Sequence, residues 1–277
     1  MKILCVGEIL VDMIADGHSL EDAGEFHSRP GGAPTNVAVA SSRMGADVDM
    51  AATLGNDGFG DMLKEKLENE GVGLDHIRTV DEKTTLAFVA LDDNAEPEFS
   101  FYREADTFIS PDQLTDGYDI IHFGSLPFTD PDLSEMMRRY AKESEALISF
   151  DPNLRSDFDS PKYMERLRGF IREADLVFLS EEEAESFDID AEEILVTKGS
   201  SGATLTTKEF SENSRPPEVD PVDTTGAGDA LAGAYLAFRD EGRKDALEKA
   251  VEASALSTLE KGAMSALPDK DDLAEFE

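Results

Sequence analysis

The chain has 277 residues, 40% of them hydrophobic, and 61 acidic against 25 basic side chains give a net charge of −36. That length can bury a sizeable core, and the absence of a basic face argues against a nucleic-acid partner. No stretch approaches the 18 apolar residues of a membrane span, and the opening Met1-Lys2-Ile3-Leu4-Cys5-Val6 is too short for a signal peptide, so we expect a cytoplasmic protein with no membrane partner.

In chain order, residues 3–6, 50–54, 120–123, 147–150, 176–179 and 194–197 form short apolar runs that read as buried strands, with helical patterns between them. Such alternation implies an α/β fold with a mostly parallel sheet and helices on both faces, binding ligands beyond the carboxyl ends of its strands. Residues 9–14 and 84–102 alternate more strongly, with a turn at Asp92-Asp93-Asn94, and read as strands of a different kind. The lone Cys5 has no disulfide partner and reads as a small buried residue. No Pro/Ser linker or low-complexity run divides the chain.

Two segments carry chemistry. Gly31-Gly32-Ala33-Pro34-Thr35-Asn36 places a glycine pair before a helix that Gly45 stops. The glycines permit close backbone approach, and Asn36 can both donate and accept, as a polyol hydroxyl requires. Taken alone, this could equally be a turn before a capped amphipathic helix.

Near the other end, Asp223-Thr224-Thr225-Gly226-Ala227-Gly228-Asp229 precedes apolar positions 230, 231, 234, 235 and 238 at helical spacing. Gly226, Ala227 and Gly228 can turn consecutive N–H groups toward one anion at a helix N-terminus. Asp229 beside them is placed to take a proton from an incoming hydroxyl. A dinucleotide fingerprint would need glycine where Leu231 stands, and no G-x-x-x-x-G-K-[ST] occurs. The plainer alternative, a first-turn acid that merely suits the helix dipole, stays open on this segment alone.

Together, these elements resemble the signatures of the PfkB (ribokinase-like) carbohydrate kinases, GG-x-x-x-N-x-A…G followed by D-T-x-G-A-G-D. The similarity continues through Gly7-Glu8-Ile9-Leu10-Val11-Asp12, residues 55–60, Phe101-Tyr102-Arg103, residues 122–125, Asp151-Pro152-Asn153-Leu154-Arg155 and residues 197–202. Among such kinases the chain looks most like fructokinases and 2-keto-3-deoxygluconate kinases. The resemblance implies a ribokinase-like three-layer sandwich with a mostly parallel central sheet, one domain over residues 1–277, and a small β lid from residues 9–30 and 84–104.

It also implies ATP-dependent phosphorylation of a small sugar at a terminal hydroxyl. Fructose is the expected acceptor, 2-keto-3-deoxygluconate the alternative, and a non-catalytic sugar- or nucleotide-binding regulator the second alternative. By matching positions, Asp229 is the catalytic base and Gly226, Ala227 and Gly228 the anion hole, while Asp12, Gly31, Gly32, Asn36, Phe101, Arg103 and Arg155 hold the sugar. Thr197, Lys198, Gly199 and Gly202 match the segment along the nucleotide, Asn153 and Glu183 the positions tied to magnesium through its waters, and Asp223 and Thr225 a monovalent-cation site suited to potassium. Ser180 stands where many relatives have Asn, residues 184–194 and 206–217 are short, and Val251 and Glu252 leave the base preference open. A monomer, or a homodimer through the lid, is expected.

The acidic excess is spread through every helix and resembles a halophile's surface. At about 1 M salt the Debye length is about 3 Å, so the carboxylates neither repel one another strongly nor turn away an anionic nucleotide. In dilute buffer the same shell should destabilise the fold.

Overall fold

The computed structural model describes residues 1–91, 97–155, 158 and 160–276; the turn expected at Asp92-Asp93-Asn94 lies outside them. The chain begins with β1 (Lys2–Val6), which pairs in parallel with β4 (Asp47–Gly55) on one side and β8 (Ile120–Phe123) on the other. The parallel run continues outward from β4 to β5 (Ile77–Val80), and from β8 through β9 (Leu147–Phe150) and β10 (Leu176–Ser180) to β11 (Glu193–Thr197). An antiparallel pair, β12 (Ala203–Thr207) and β13 (Ser211–Ser214), completes a nine-stranded sheet.

Alternation along β1 shows why helices cover both faces of this sheet. Ile3 and Cys5 pack in one core with α1 (Ala33–Arg43), α6 (Ala227–Phe238) and α7 (Arg243–Ser257). Leu4 and Val6 point the other way, into a core built with α3 (Pro131–Glu143) and α4 (Pro161–Ile171), where Phe123, Phe128, Phe150 and Phe170 meet edge to face or tilted. The result is the helix–sheet–helix layering expected of such a pattern. Cys5 is fully buried between these layers.

A second sheet stands apart. Its strands β2 (Leu10–Ala15), β3 (Phe26–Gly31), β6 (Leu86–Leu91) and β7 (Pro97–Tyr102) pair in the order β3-β2-β6-β7, parallel only between β2 and β6. The chain leaves the large sheet for the small one through Gly7-Glu8-Ile9 and returns to α1 through Gly31-Gly32.

Helices α1 and α6 lie in near-backbone contact because Gly233 has no side chain: a Cβ there would stand 2.4 Å from that of Ala40. The Ser41 hydroxyl donates to the Gly233 carbonyl at 3.0 Å across the same seam. At the amino end of β11, buried Glu193 accepts from Tyr235 Oη (2.7 Å) and Arg239 Nε (3.2 Å) and pairs with Arg243 (2.7 Å), fixing the far end of α6 and the start of α7 to the sheet. Removing one partner from such a buried cluster typically costs about 3–5 kcal/mol.

Candidate functional site

The parallel strands all end on one edge of the large sheet, so the residues just beyond them are neighbours in space although distant in sequence. Glu8 follows β1, Gly124 follows β8, Asp151 follows β9, and Ser180 closes β10. Facing them are the N-termini of α1 and α6, each opened by a glycine in the left-handed region, Gly32 at φ 108° and Gly226 at φ 79°.

Here the two glycine-rich segments meet. Asn36 Nδ2 donates to Asp229 Oδ2 at 2.8 Å, and both side chains are buried. Asn36 Oδ1 is buried without a hydrogen-bond partner, an acceptor free to take a hydroxyl. One turn further along each helix, Ala40 meets Gly233, so the two helices run side by side in the same direction and carry the pair between them.

Four carboxylates crowd this edge, and burial is the main reason each resists ionisation. Asp229 is pushed up to about 7 by burial, despite the Asn36 hydrogen bond and Arg155, which favour its charge; Asp12 opposes it. Glu8 is raised to about 7 and Asp12 to about 6, both chiefly by burial. Asp151 lies well above the usual carboxylate range through burial, then through the charges of Glu183 and Asp229.

Arg155 is the cation common to all four. Its guanidinium stands 4.6 Å from the centre of the Phe99 ring on β7, bridging the large sheet's edge to the small sheet. Arg103 is differently placed: Nε donates to buried Asp106 at 2.7 Å, Nη1 donates to Thr129 Oγ1, and Asp106 also accepts from Thr85 Oγ1 at 2.5 Å. The Phe101 ring packs on Phe158 and Phe99, with centroids 5.2 and 5.6 Å away. Gly31 abuts Asp12, where an added Cβ would meet its carboxyl oxygen at 2.0 Å.

At the start of α6, the Gly226 conformation is one that only glycine adopts freely, and a Cβ there would stand 2.8 Å from that of Ala263. The Ala227 amide donates to Thr224 O at 3.2 Å, while Gly228 faces open space: a Cβ on it would meet nothing within 4 Å. First-turn amides lack intrahelical acceptors and carry the positive end of the dipole, so the space over Gly228 fits an anion.

The remaining candidates lie along the same edge. Thr197 ends β11 and donates its hydroxyl to Leu179 O at 3.2 Å, and the Lys198 amide donates to Gly202 O at 2.8 Å, closing a hairpin into β12. Gly199 (φ 51°) faces open space, whereas Gly202 is needed by the hairpin itself, since a Cβ would meet Ser214 O at 2.0 Å. Asn153 adopts φ 37° in the segment after β9, where its amide donates to Asp151 Oδ1 at 2.9 Å. Glu183 accepts from Leu154 N (2.6 Å) and Ser180 N (2.7 Å), tying that segment to the first turn of α5 (Glu181–Ser186). Asp223 accepts from the amide and hydroxyl of Thr225 and, through Oδ2, from Gly262 N at 2.9 Å. Burial alone would raise the Asp223 carboxyl, but these hydrogen bonds hold it below the usual range.

Among the described residues, no group of three or more His, Cys, Asp or Glu is arranged to hold a metal ion. Two members of the site, Glu8 and Asp151, had no role assigned by sequence reasoning, although both lie in segments singled out there; their signal is an acid within two residues of the end of an apolar strand.

The sequence profile described as pfkB family carbohydrate kinase matches residues 1–270. A fructokinase of Solanum tuberosum is 36% identical, the alignment covering 96% of this chain and 92% of that protein. Among solved structures, a sugar kinase of Pyrococcus horikoshii in complex with ATP superposes with a TM-score of 0.92 at 31% identity, over 99% of this chain and 98% of the other. A fructokinase of Vibrio cholerae, bound to fructose, ADP and a calcium ion, does so with a TM-score of 0.87 at 28% identity, over 99% and 98%.

Proposed function

The chain belongs to the pfkB family of carbohydrate kinases and is an ATP-dependent sugar kinase, and from that premise we propose that it phosphorylates fructose at a terminal hydroxyl, with Asp229 as the base. The observation that carries this reading is the Asn36–Asp229 hydrogen bond beside the open cradle of Gly228, which brings a proton acceptor, a hydroxyl-binding amide and an anion site to one place.

In this reading Asp229 takes the proton of the acceptor hydroxyl as its oxygen attacks the γ-phosphorus, and ADP departs. The amides at the start of α6 stabilise charge on the transferring group. Asn36 Oδ1, Asp12 and the backbone of Gly31 and Gly32 orient the hydroxyls, with Phe101 and Arg155 closing the pocket from the side of the small sheet, which acts as a lid over one domain. Thr197, Lys198 and Gly199 line the nucleotide, with Gly202 shaping their turn.

Magnesium, when bound with the nucleotide, neutralises its β and γ oxygens. Asn153 and Glu183 would hold its waters; both Glu183 oxygens already accept backbone amides, which favours a water-mediated role. Asp223 and Thr225, braced against the segment around Gly262, would place oxygens for potassium.

Arg103 favours a neutral hexose over 2-keto-3-deoxygluconate, because its guanidinium is engaged by Asp106 and Thr129 and is not left to grip a substrate carboxylate. The acidic shell supports a halophilic, cytoplasmic setting. The exposed Tyr102 ring on β7 leaves the lid open to pairing with a second copy if the enzyme is not a monomer.

The test is ADP release in about 2 M KCl, where charges are screened within a few ångströms, with fructose, 2-keto-3-deoxygluconate, ribose and fructose 1-phosphate as acceptors. Fructose should give the highest kcat/KM, and Asp229→Asn should lower turnover at least about 100-fold without unfolding the chain. Release with fructose no greater than that of the Asp229→Asn variant would overturn the assignment.

A further inference from the structure

Glu8 is a buried carboxylate to which the reaction above gives no task. It lies in the short passage from β1 to β2, where the chain leaves the large sheet for the small one, and it is tied to the start of α1 in three ways. Its Oε1 accepts from the Ala33 amide at 3.3 Å. Its carbonyl accepts from Thr35 Oγ1 at 2.9 Å. Gly32 rests on the same carbonyl so closely that a Cβ would stand 2.5 Å from it.

Helix α1 has no capping side chain of its own, since Gly32 occupies the N-cap. A carboxylate brought in from β1 therefore does what an N-cap residue does elsewhere, accepting a first-turn amide and complementing the dipole. Glu8 Oε2 is buried without a hydrogen-bond partner, with Gly124 against it, so the carboxyl is held in place by packing and by its bonds to α1. The charged groups facing it are Arg155, Asp106 and Arg103. Those facing Asp229 are Arg155, Asp12 and Asp151.

We infer that Glu8 is a positioning residue that caps α1 from outside, pins its first turn to the passage between the two sheets, and thereby holds the Asn36 amide on Asp229. The inference rests on Asp229 being the base. Its reach is short, because Asn36 lies in the same first turns of the helix that Glu8 caps.

The experiment compares the full-length chain with Glu8→Ala, Glu8→Gln and Thr35→Val, measuring amide hydrogen exchange over residues 32–37 together with kcat and KM. Glu8→Ala should speed exchange in that segment and lower kcat about tenfold, as a small misplacement of a reacting group does, with KM for ATP unchanged. Glu8→Gln, whose side-chain oxygen still accepts the Ala33 amide, should restore most of both. Thr35→Val should speed exchange by a smaller factor.

A lower melting temperature in Glu8→Ala with kcat and exchange unchanged would overturn the inference, and so would a glutamine variant no better than alanine. Should Glu8→Ala not fold, unchanged exchange in Thr35→Val would overturn it. A wild-type chain that releases no ADP with any sugar would sink the kinase reading, while exchange over residues 32–37 would still decide whether Glu8 caps α1.

Discussion

Asn36 and Asp229, 193 positions apart, share a hydrogen bond of 2.8 Å between buried side chains. The bond favours the ionised form of a carboxylate that burial otherwise drives toward neutrality, leaving Asp229 at about 7. Turnover should therefore rise with pH along a limb near 7, since the base must be unprotonated. Asn36→Ala should move that limb upward by about one pH unit, because a hydrogen bond to a charged group contributes about 1.5 kcal/mol. A pH profile of kcat in the two proteins decides; a limb that does not move would sever Asn36 from the base.

The same crowding predicts a stability effect of opposite sign to that of most substitutions. Asp229, Glu8 and Asp12 titrate higher in the folded chain than unfolded, so their contribution is fully present below the ordinary carboxylate range and is lost as pH rises through about 6 to 7. Asp229→Asn should therefore melt above wild type at about pH 8, by about 2–4 °C per kcal/mol recovered, with the gap closing at about pH 5. Calorimetry at both pH values checks this.

Two glycines two positions apart should respond in opposite ways. Gly228 has an ordinary φ and open space around it, so Gly228→Ala should stabilise α6 by up to about 1 kcal/mol. The added methyl would stand where the phosphoryl group is proposed to sit, and activity should fall at least about tenfold. Gly226→Ala meets both a left-handed backbone and Ala263, and should destabilise by about 1–3 kcal/mol. Denaturant melts beside ADP-release rates separate the two.

With a net charge of −36, the chain should gain stability as salt rises. Raising KCl from about 0.05 M to about 2 M should increase the melting temperature and restore activity, because repulsion is screened over a few ångströms. Sodium chloride at equal ionic strength would separate screening from any specific need for potassium. Full activity and an unchanged melt in dilute buffer would contradict the expectation.

The parallel strands of the core were legible because burial on both faces leaves an uninterrupted apolar run, as in residues 176–179. Ile77–Val80 and Ser211–Ser214 were not, since edge strands half open to water carry polar residues and no such run. The two glycine segments announced a site through residue types that need a particular backbone. What they could not announce was its surroundings. That Arg103, already paired with Asp106 three positions on, also reaches Thr129 depends on a neighbourhood only the fold creates. Glu8 and Asp151 owe their raised titration chiefly to burial beneath segments that only the fold brings together, which no local pattern encodes.

The seam where Gly233 admits Ala40 and Ser41 has an evolutionary corollary. Because that seam, and no flexible loop, sets how far apart Asn36 and Asp229 stand, peripheral segments can shrink or grow during divergence without detuning the reaction. A methyl group added at position 233 would be the costlier accident, prying the paired rods apart and carrying amide and carboxylate out of reach of each other.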